Sequence, residues 1–175
     1  DGTNPNDLTK GEMEGRRQAM LAIEALKKYY PGCEKARLRN FGMSIGIRDT
    51  RKLDAIYNMT EIDVRHQGKF EDSIGIYPEF IDGYGLLIIP TTGRYMELPY
   101  RSMIPKNING LLVTGRATGG DKISHAATRN MSCCSVNGQG AGVAAATAVK
   151  SNRDVKNINI FNVKKELEKQ GVRIN

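Results

Sequence analysis

The sequence predicts a fold of the α/β class in its mixed α+β form, a small mixed sheet with flanking helices, and three observations carry that prediction. Met13, Met20, Ile23, Leu26 and Tyr30 recur at helical spacing and stop at Pro31-Gly32. Short apolar runs punctuated by Gly follow, of the length and composition of strands. Leu111 to Val149 then reads as a buried strand, a polar connection rich in Gly and Arg, and a helix whose first turns carry Gly138, Gly140 and Gly142. Helices interspersed with short strands in this order give a mixed architecture.

Taken in order, residues 1 to 8 are turn chemistry and form a loosely held lead-in. Thr9 and Glu12 have the T-x-x-E spacing of a capping box, so an amphipathic helix of about five turns is expected to begin there. Phe41 to Ile47 reads as a strand, with Arg48-Asp49-Thr50-Arg51 at its end. Arginine there suits bidentate recognition of carboxylate or phosphate, although a surface ion-pair cluster with Asp49 and Asp54 is the plainer reading of these residues alone.

Thr60 and Asp63 mark the N-cap of a short helix ending at Gly68. His66, near its end, has no second His or Cys at ligand spacing, which argues against a metal. Residues 74 to 77 read as a strand. Gly85 to Ile89, the turn Thr91-Thr92-Gly93 and Tyr95 to Tyr100 read as a hairpin. Leu111 to Thr114 is the next strand, and Phe161 to Gln170 a terminal helix closed by Gly171.

With 175 residues, 39% hydrophobic and 26% charged, the chain can bury one core and has a globular rather than a disordered composition. The formal charge of +7 invites an anionic partner. Its basic residues lie in scattered pairs, however, and without a basic block or aromatic platform a nucleic-acid role is disfavoured. Three cysteines, two of them adjacent, make no disulfide framework and point to a reducing, cytoplasmic setting. No apolar run reaches the roughly 18 residues of a membrane span. A start at Asp1 suggests an excised piece.

The central stretch resists two familiar phosphate-binding patterns. Gly115 to Lys122 imitates a P-loop, but Asp121 stands where Lys is needed. Gly138 to Gly142 opens like a dinucleotide fingerprint, yet the third Gly is one residue early and the nearest strand more than twenty residues back. Each Gly inside a helix costs roughly 1 kcal/mol relative to Ala, so the three require a reason. Either a ligand approaches that backbone at the helix start, where N–H groups are open, or a small-residue helix packs closely on a sheet. Arg116 and Arg129 could face one crevice, with Asp121, Ser124, His125 and Thr128 on the same connection. Cys133-Cys134 lacks the spacing of a redox motif.

Tyr100 to Pro105, Gly110 to Arg116, Thr128-Arg129, Cys134, and Gly138-Gln139 through Gly142 to Ala146 together resemble the C-terminal part of FAD-dependent oxidoreductases related to fumarate reductase-like and glutathione reductase-like flavoproteins. Ser44 to Val64 and Leu167 to Val172 are similar to that family as well, so the resemblance covers nearly the whole chain. It implies FAD as cofactor and hydride exchange between flavin and an unidentified small-molecule substrate, with the Gly-rich helix start facing the isoalloxazine and ribityl. Gly115, Arg116, Arg129, Gly138, Gln139, Gly140, Ala141 and Gly142 become the cofactor-binding positions. Arg48, Arg51 and His125 become the catalytic candidates.

The same resemblance implies a fragment of a two-domain protein. Residues 1–98 would belong to a substrate or cap domain and residues 99–175 would return to the FAD-binding domain. The partner would be the missing N-terminal nucleotide-binding half of the same protein, and the fragment alone would be inactive. Asp121 and Lys122 depart from the family pattern. The alternative is a non-catalytic basic binding or interaction module.

Overall fold

The structure, a computed structural model, describes residues 1–83 and 85–175. By internal contacts it separates into two units, Asp1–Arg51 and Lys52–Asn175. Among the described residues no helix is long and apolar enough to cross a membrane.

The first unit is built on α1, Pro5–Tyr29. Its N-cap is Asn4, five residues before the Thr9 that the capping box predicts. Asn4 accepts the Asn6 N–H at 2.9 Å and Pro5 occupies the first helical position, a stronger start signal because proline fixes φ and lacks the N–H that would be orphaned there. Thr9 therefore lies inside the helix and its hydroxyl donates back to the Pro5 carbonyl at 2.9 Å. Glu12 pairs with Arg16 at 2.8 Å and accepts the Ile45 N–H at 2.6 Å. Phe41–Ile47 is irregular rather than a strand. Among the described residues it has no ladder partner, and the Ile45 N–H goes to a side chain instead.

The second unit holds the remaining elements. Helix α2, Glu61–Arg65, has the capping box the sequence predicts, with Thr60 accepting from Asp63 N–H and the Asp63 carboxylate closing on Thr60 N–H at 2.7 Å. Strands β1 (Ser73–Pro78) and β4 (Tyr95–Pro99) pair antiparallel, with Ile76 opposite Glu97 and Pro78 opposite Tyr95. Strands β2 (Ile81–Gly83) and β3 (Leu86–Ile88) form a second antiparallel pair. The hairpin expected between Gly85–Ile89 and Tyr95–Tyr100 is thus corrected. The turn itself is present, with Arg94 N–H bonded to Thr91 carbonyl at 3.0 Å, but it carries the chain from one sheet to the other. Buried Met96 and Leu98 secure β4 against β1 and its buried Ile74, whereas β3 is only partly covered and closes on its nearest neighbour in sequence.

Leu111–Thr114 is extended but is not a buried strand. Leu111 and Thr114 are exposed, and Val113 N–H to Met103 carbonyl, at 2.8 Å, is the backbone hydrogen bond that ties the segment to the described residues. Helices α3 (Lys122–Thr128), α4 (Met131–Ser151) and α5 (Ile160–Lys169) complete the unit. The core gathers Met59, Val64, Ile74, Ile81, Met96, Leu98, Met103, Cys133, Ala144, Val163 and Leu167. Residues on both sides of position 98 share it.

Candidate functional site around the start of helix α4

The segment between Thr114 and Asn130 is where the chain turns from extended backbone into helix, and its glycines decide the path. Gly115 has φ +76°, a left-handed value that favours glycine, and opens a single 3-10 turn over Gly115–Ala117. Gly119 and Gly120 follow in a tight slot. A Cβ on Gly119 would lie 2.5 Å from both Ala55 Cβ and Asn58 Oδ1, and one on Gly120 would lie 2.6 Å from Ser124 Oγ. Backbone bonds fill the slot: Gly119 N–H to Ser102 carbonyl at 3.0 Å and Met59 N–H to Gly119 carbonyl at 3.1 Å.

Asp121 explains its departure from the family pattern by structure. One carboxylate oxygen accepts Ser124 N–H at 2.8 Å and so caps α3, while the other accepts Glu61 N–H at 2.8 Å and satisfies the first turn of α2. Lys122 is exposed at the first position of α3.

Arg129 ends α3, and its guanidinium donates to the Asp82 carbonyl of β2. Gly83 leaves the room, since a Cβ there would sit 3.0 Å from Arg129 Nη2. Asn130 turns its side-chain amide back onto α3, donating to Ala127 carbonyl at 2.8 Å and Ala126 carbonyl at 3.2 Å. It therefore gives α4 no side-chain cap. The first turn of this 21-residue helix contains no acidic residue either. The N–H groups of Met131, Ser132 and Cys133 precede the first ladder bond, Cys134 N–H to Asn130 carbonyl at 2.9 Å. Among the described residues these three donors meet no acceptor, and at the positive end of a long helix they make a place for a partly negative group.

The side chains around this turn set its chemistry. Burial pushes the Cys133 thiol far above its ordinary range, with repulsion from Cys134 adding to it. Burial raises Cys134 as well, and the nearby positive charge of Arg116 opposes the rise. Burial thus favours the neutral thiol at both positions. The Tyr77 phenol is also raised, chiefly by burial, while hydrogen bonds from Ser132 and Asn130 pull the other way. Tyr77 thus reaches the same turn from β1.

The glycine-rich segment lies elsewhere than the sequence suggests. Helix α4 starts at Met131, so Gly138 is about two turns inside it, and the N–H groups from Gly138 to Gly142 belong to the helix ladder. The expectation that a Gly-rich helix start presents open donors is corrected: the open donors are at Met131–Cys133. The signal was present in Asn130, a residue type favoured at helix starts and placed directly before them.

The other predicted cofactor positions divide in two. Gly140 and Ala141 are buried, with Ile74 Cδ1 only 2.5 Å from where a Gly140 Cβ would be. Gln139 donates to the Gln170 side chain at 2.9 Å, tying α4 to the residue that ends α5. By contrast, among the described residues nothing lies within 4 Å of a Cβ placed on Gly138 or Gly142. With exposed Met131, Ser135, Ala145 and Val149 they trace an open strip along α4, at alternating spacings of four and three.

Gly115, Arg116 and Arg129 are therefore the predicted residues gathered near the α4 start. His125 is only 2% exposed, enclosed within the second unit. Arg48 and Arg51 belong to the first unit.

Comparison with curated proteins and with solved structures finds no match. The family model described as FAD dependent oxidoreductase matches residues 1–167. With that match spanning nearly all of a chain whose uncapped helix start is suited to a cofactor's negative pole, the chain belongs to the FAD-dependent oxidoreductase family.

Proposed function

We propose that these residues supply the flavin-facing part of an oxidoreductase that passes a hydride between a small-molecule substrate and FAD. The observation that carries this reading is the start of α4, where Asn130 turns away and leaves three N–H groups without a capping acceptor among the described residues. The residues fit the flavin end of the cofactor, because its pyrimidine side is polar and gains negative charge on reduction. Bound FAD would supply the hydride acceptor.

The protein groups do the rest. Met131, Ser132 and Cys133 N–H groups would hold the negative edge, with Arg116 adding a full charge beside them. Arg129, fixed on the Asp82 carbonyl, holds the corner between α3 and α4 so that these donors keep one direction. Gly138 and Gly142 leave the α4 surface open to close approach. Arg48 and Arg51 are proposed to meet an anionic group of the substrate or the flavin.

Two further features support a second half that grips the ADP end through its own strand and glycine turn. Leu111–Thr114 has strand composition and extended backbone without a ladder among the described residues, as a strand would before joining a sheet edge. The open strip of α4 could cover that sheet. The test is to purify the longest polypeptide that contains these residues together with such a unit. It should be yellow, and Arg116→Ala should lower the flavin midpoint potential by removing a charge that favours the reduced form. A colourless protein that takes up no FAD on reconstitution sinks the proposal.

A further inference from the structure

A second site is built from charges that the flavin reading leaves unused. Glu61, Ile62, Arg65, His66, Glu79 and Arg94 line a pocket of about 400 Å³. Its floor is Glu79, between β1 and β2, which is only 7% exposed. A carboxylate buried to that degree must be paired. Arg94 donates its Nε to Glu79 Oε2, and Arg65 Nε lies 3.5 Å from Glu79 Oε1.

Both guanidinium groups are oriented further by the backbone and the rim. Arg94 Nη2 donates to the Arg65 carbonyl at 2.7 Å, and Arg65 Nη1 reaches Glu61 at 3.4 Å. At Arg94 these bonds take the Nε–Nη2 side of the planar fork and leave the Nη1 end without a partner among the described residues. At Arg65 they take Nε and Nη1 and leave Nη2 in the same state. Arginine held this way is preorganised, so a ligand meets donors that have already lost their rotamer freedom.

The lining sets Arg94 and Arg65 against Glu79 at the floor and Glu61 at the rim, so it offers directed donors with little net charge. A singly charged carboxylate is matched better by such a site than a doubly charged phosphate. Ile62, 67% exposed at the rim, offers carbon rather than polar surface to whatever the anion is attached to.

We infer that this pocket binds the carboxylate of a small, singly charged organic acid, using the Nη2 end of Arg65 and the Nη1 end of Arg94. None of its six residues belongs to the α4 start, so the inference stands independently of the flavin reading.

The 175-residue chain carries the test. The arginine Nε resonances are followed by NMR while sodium propionate, inorganic phosphate or sodium chloride is added at constant ionic strength. Propionate should move the Arg65 and Arg94 signals along a saturating curve, and the other two should not saturate. Arg94→Lys keeps a charge beside Glu79 but loses the planar fork, and should weaken propionate by about tenfold, which is roughly 1.4 kcal/mol. Arg65→Lys, at a more exposed position, gives the same reading if Arg94→Lys does not fold. Equal, non-saturating shifts with all three salts would overturn the inference. So would phosphate saturating more tightly than propionate, or lysine variants that bind propionate unchanged.

Discussion

Gly119 and Gly142 sit in the same predicted cofactor stretch, and their surroundings differ completely. Gly119 is walled in by Ala55 and Asn58, each 2.5 Å from a notional Cβ, while among the described residues Gly142 has no atom within 4 Å of one. The first glycine is required by the fold of this chain. Among the described residues nothing requires the second, which leaves the helix weaker than alanine would. Gly138 is equally open, and the contrast separates packing glycines from candidate binding glycines without reference to any motif.

The contrast breaks most sharply at Gly119→Ala. Its new methyl meets a Cβ and a side-chain oxygen braced by the Ala55–Asn58 turn, and overpacking of this kind costs about 1–3 kcal/mol. We expect a value at the upper end, read as a fall in the urea midpoint at constant slope. Unchanged stability would mean that the slot is wider than its contacts.

Gly138→Ala and Gly142→Ala should act in the opposite direction. Each should raise the stability of the 175-residue chain by about 0.5–1 kcal/mol through helix propensity alone. Gly140→Ala, run beside them, has the same propensity gain but must displace Ile74, whose Cβ lies 3.1 Å away, and should not stabilise. In the intact flavoprotein the two open-face variants should weaken FAD retention or pairing of the halves. Stabilisation with flavin retention unaffected would show that the open strip has no partner there.

A pH-dependent effect concerns the wall that confines Gly119. Tyr57 in that wall bonds to Asp63, and its pKa is pushed up to about 12, first by burial and then by that hydrogen bond. The folded state therefore holds the phenolic proton more tightly than the unfolded chain, whose tyrosine titrates near 10. Stability from this group is complete below pH 10 and is lost as pH rises from about 10 to 12. Urea midpoints across that window should fall more steeply for the native chain than for Tyr57→Phe; parallel curves would refute the assignment.

What could be read in the sequence was local. The Thr60–Asp63 capping box was legible because both partners lie within one turn, and β1 because four consecutive residues carry its strand character. The partner of β4 was not legible: β1 lies about twenty residues upstream, and the choice rests on buried Ile74, Met96 and Leu98 rather than on the turn at Thr91–Gly93. The start of α1 was misread because two signals competed and Asn4-Pro5 is the stronger. At the candidate site, Arg116 and Arg129 were singled out from their positions beside the expected strand and helix. The donors at Met131–Cys133 were not legible from the glycine pattern, because they depend on Asn130, whose side chain serves the preceding helix.

The double cap at Asp121 has a consequence for how the chain can vary. A single carboxylate ties two helix starts that lie 60 residues apart in sequence. The entropy of closing such a loop grows only logarithmically, by about 0.6 kcal/mol for each doubling of its length. Insertions between α2 and α3, for instance at the Thr91–Gly93 turn, would thus cost the clamp little. The segment that carries the Arg65–Arg94 pocket is free to be lengthened and reshaped, while the turn that presents Arg116 stays fastened at both ends.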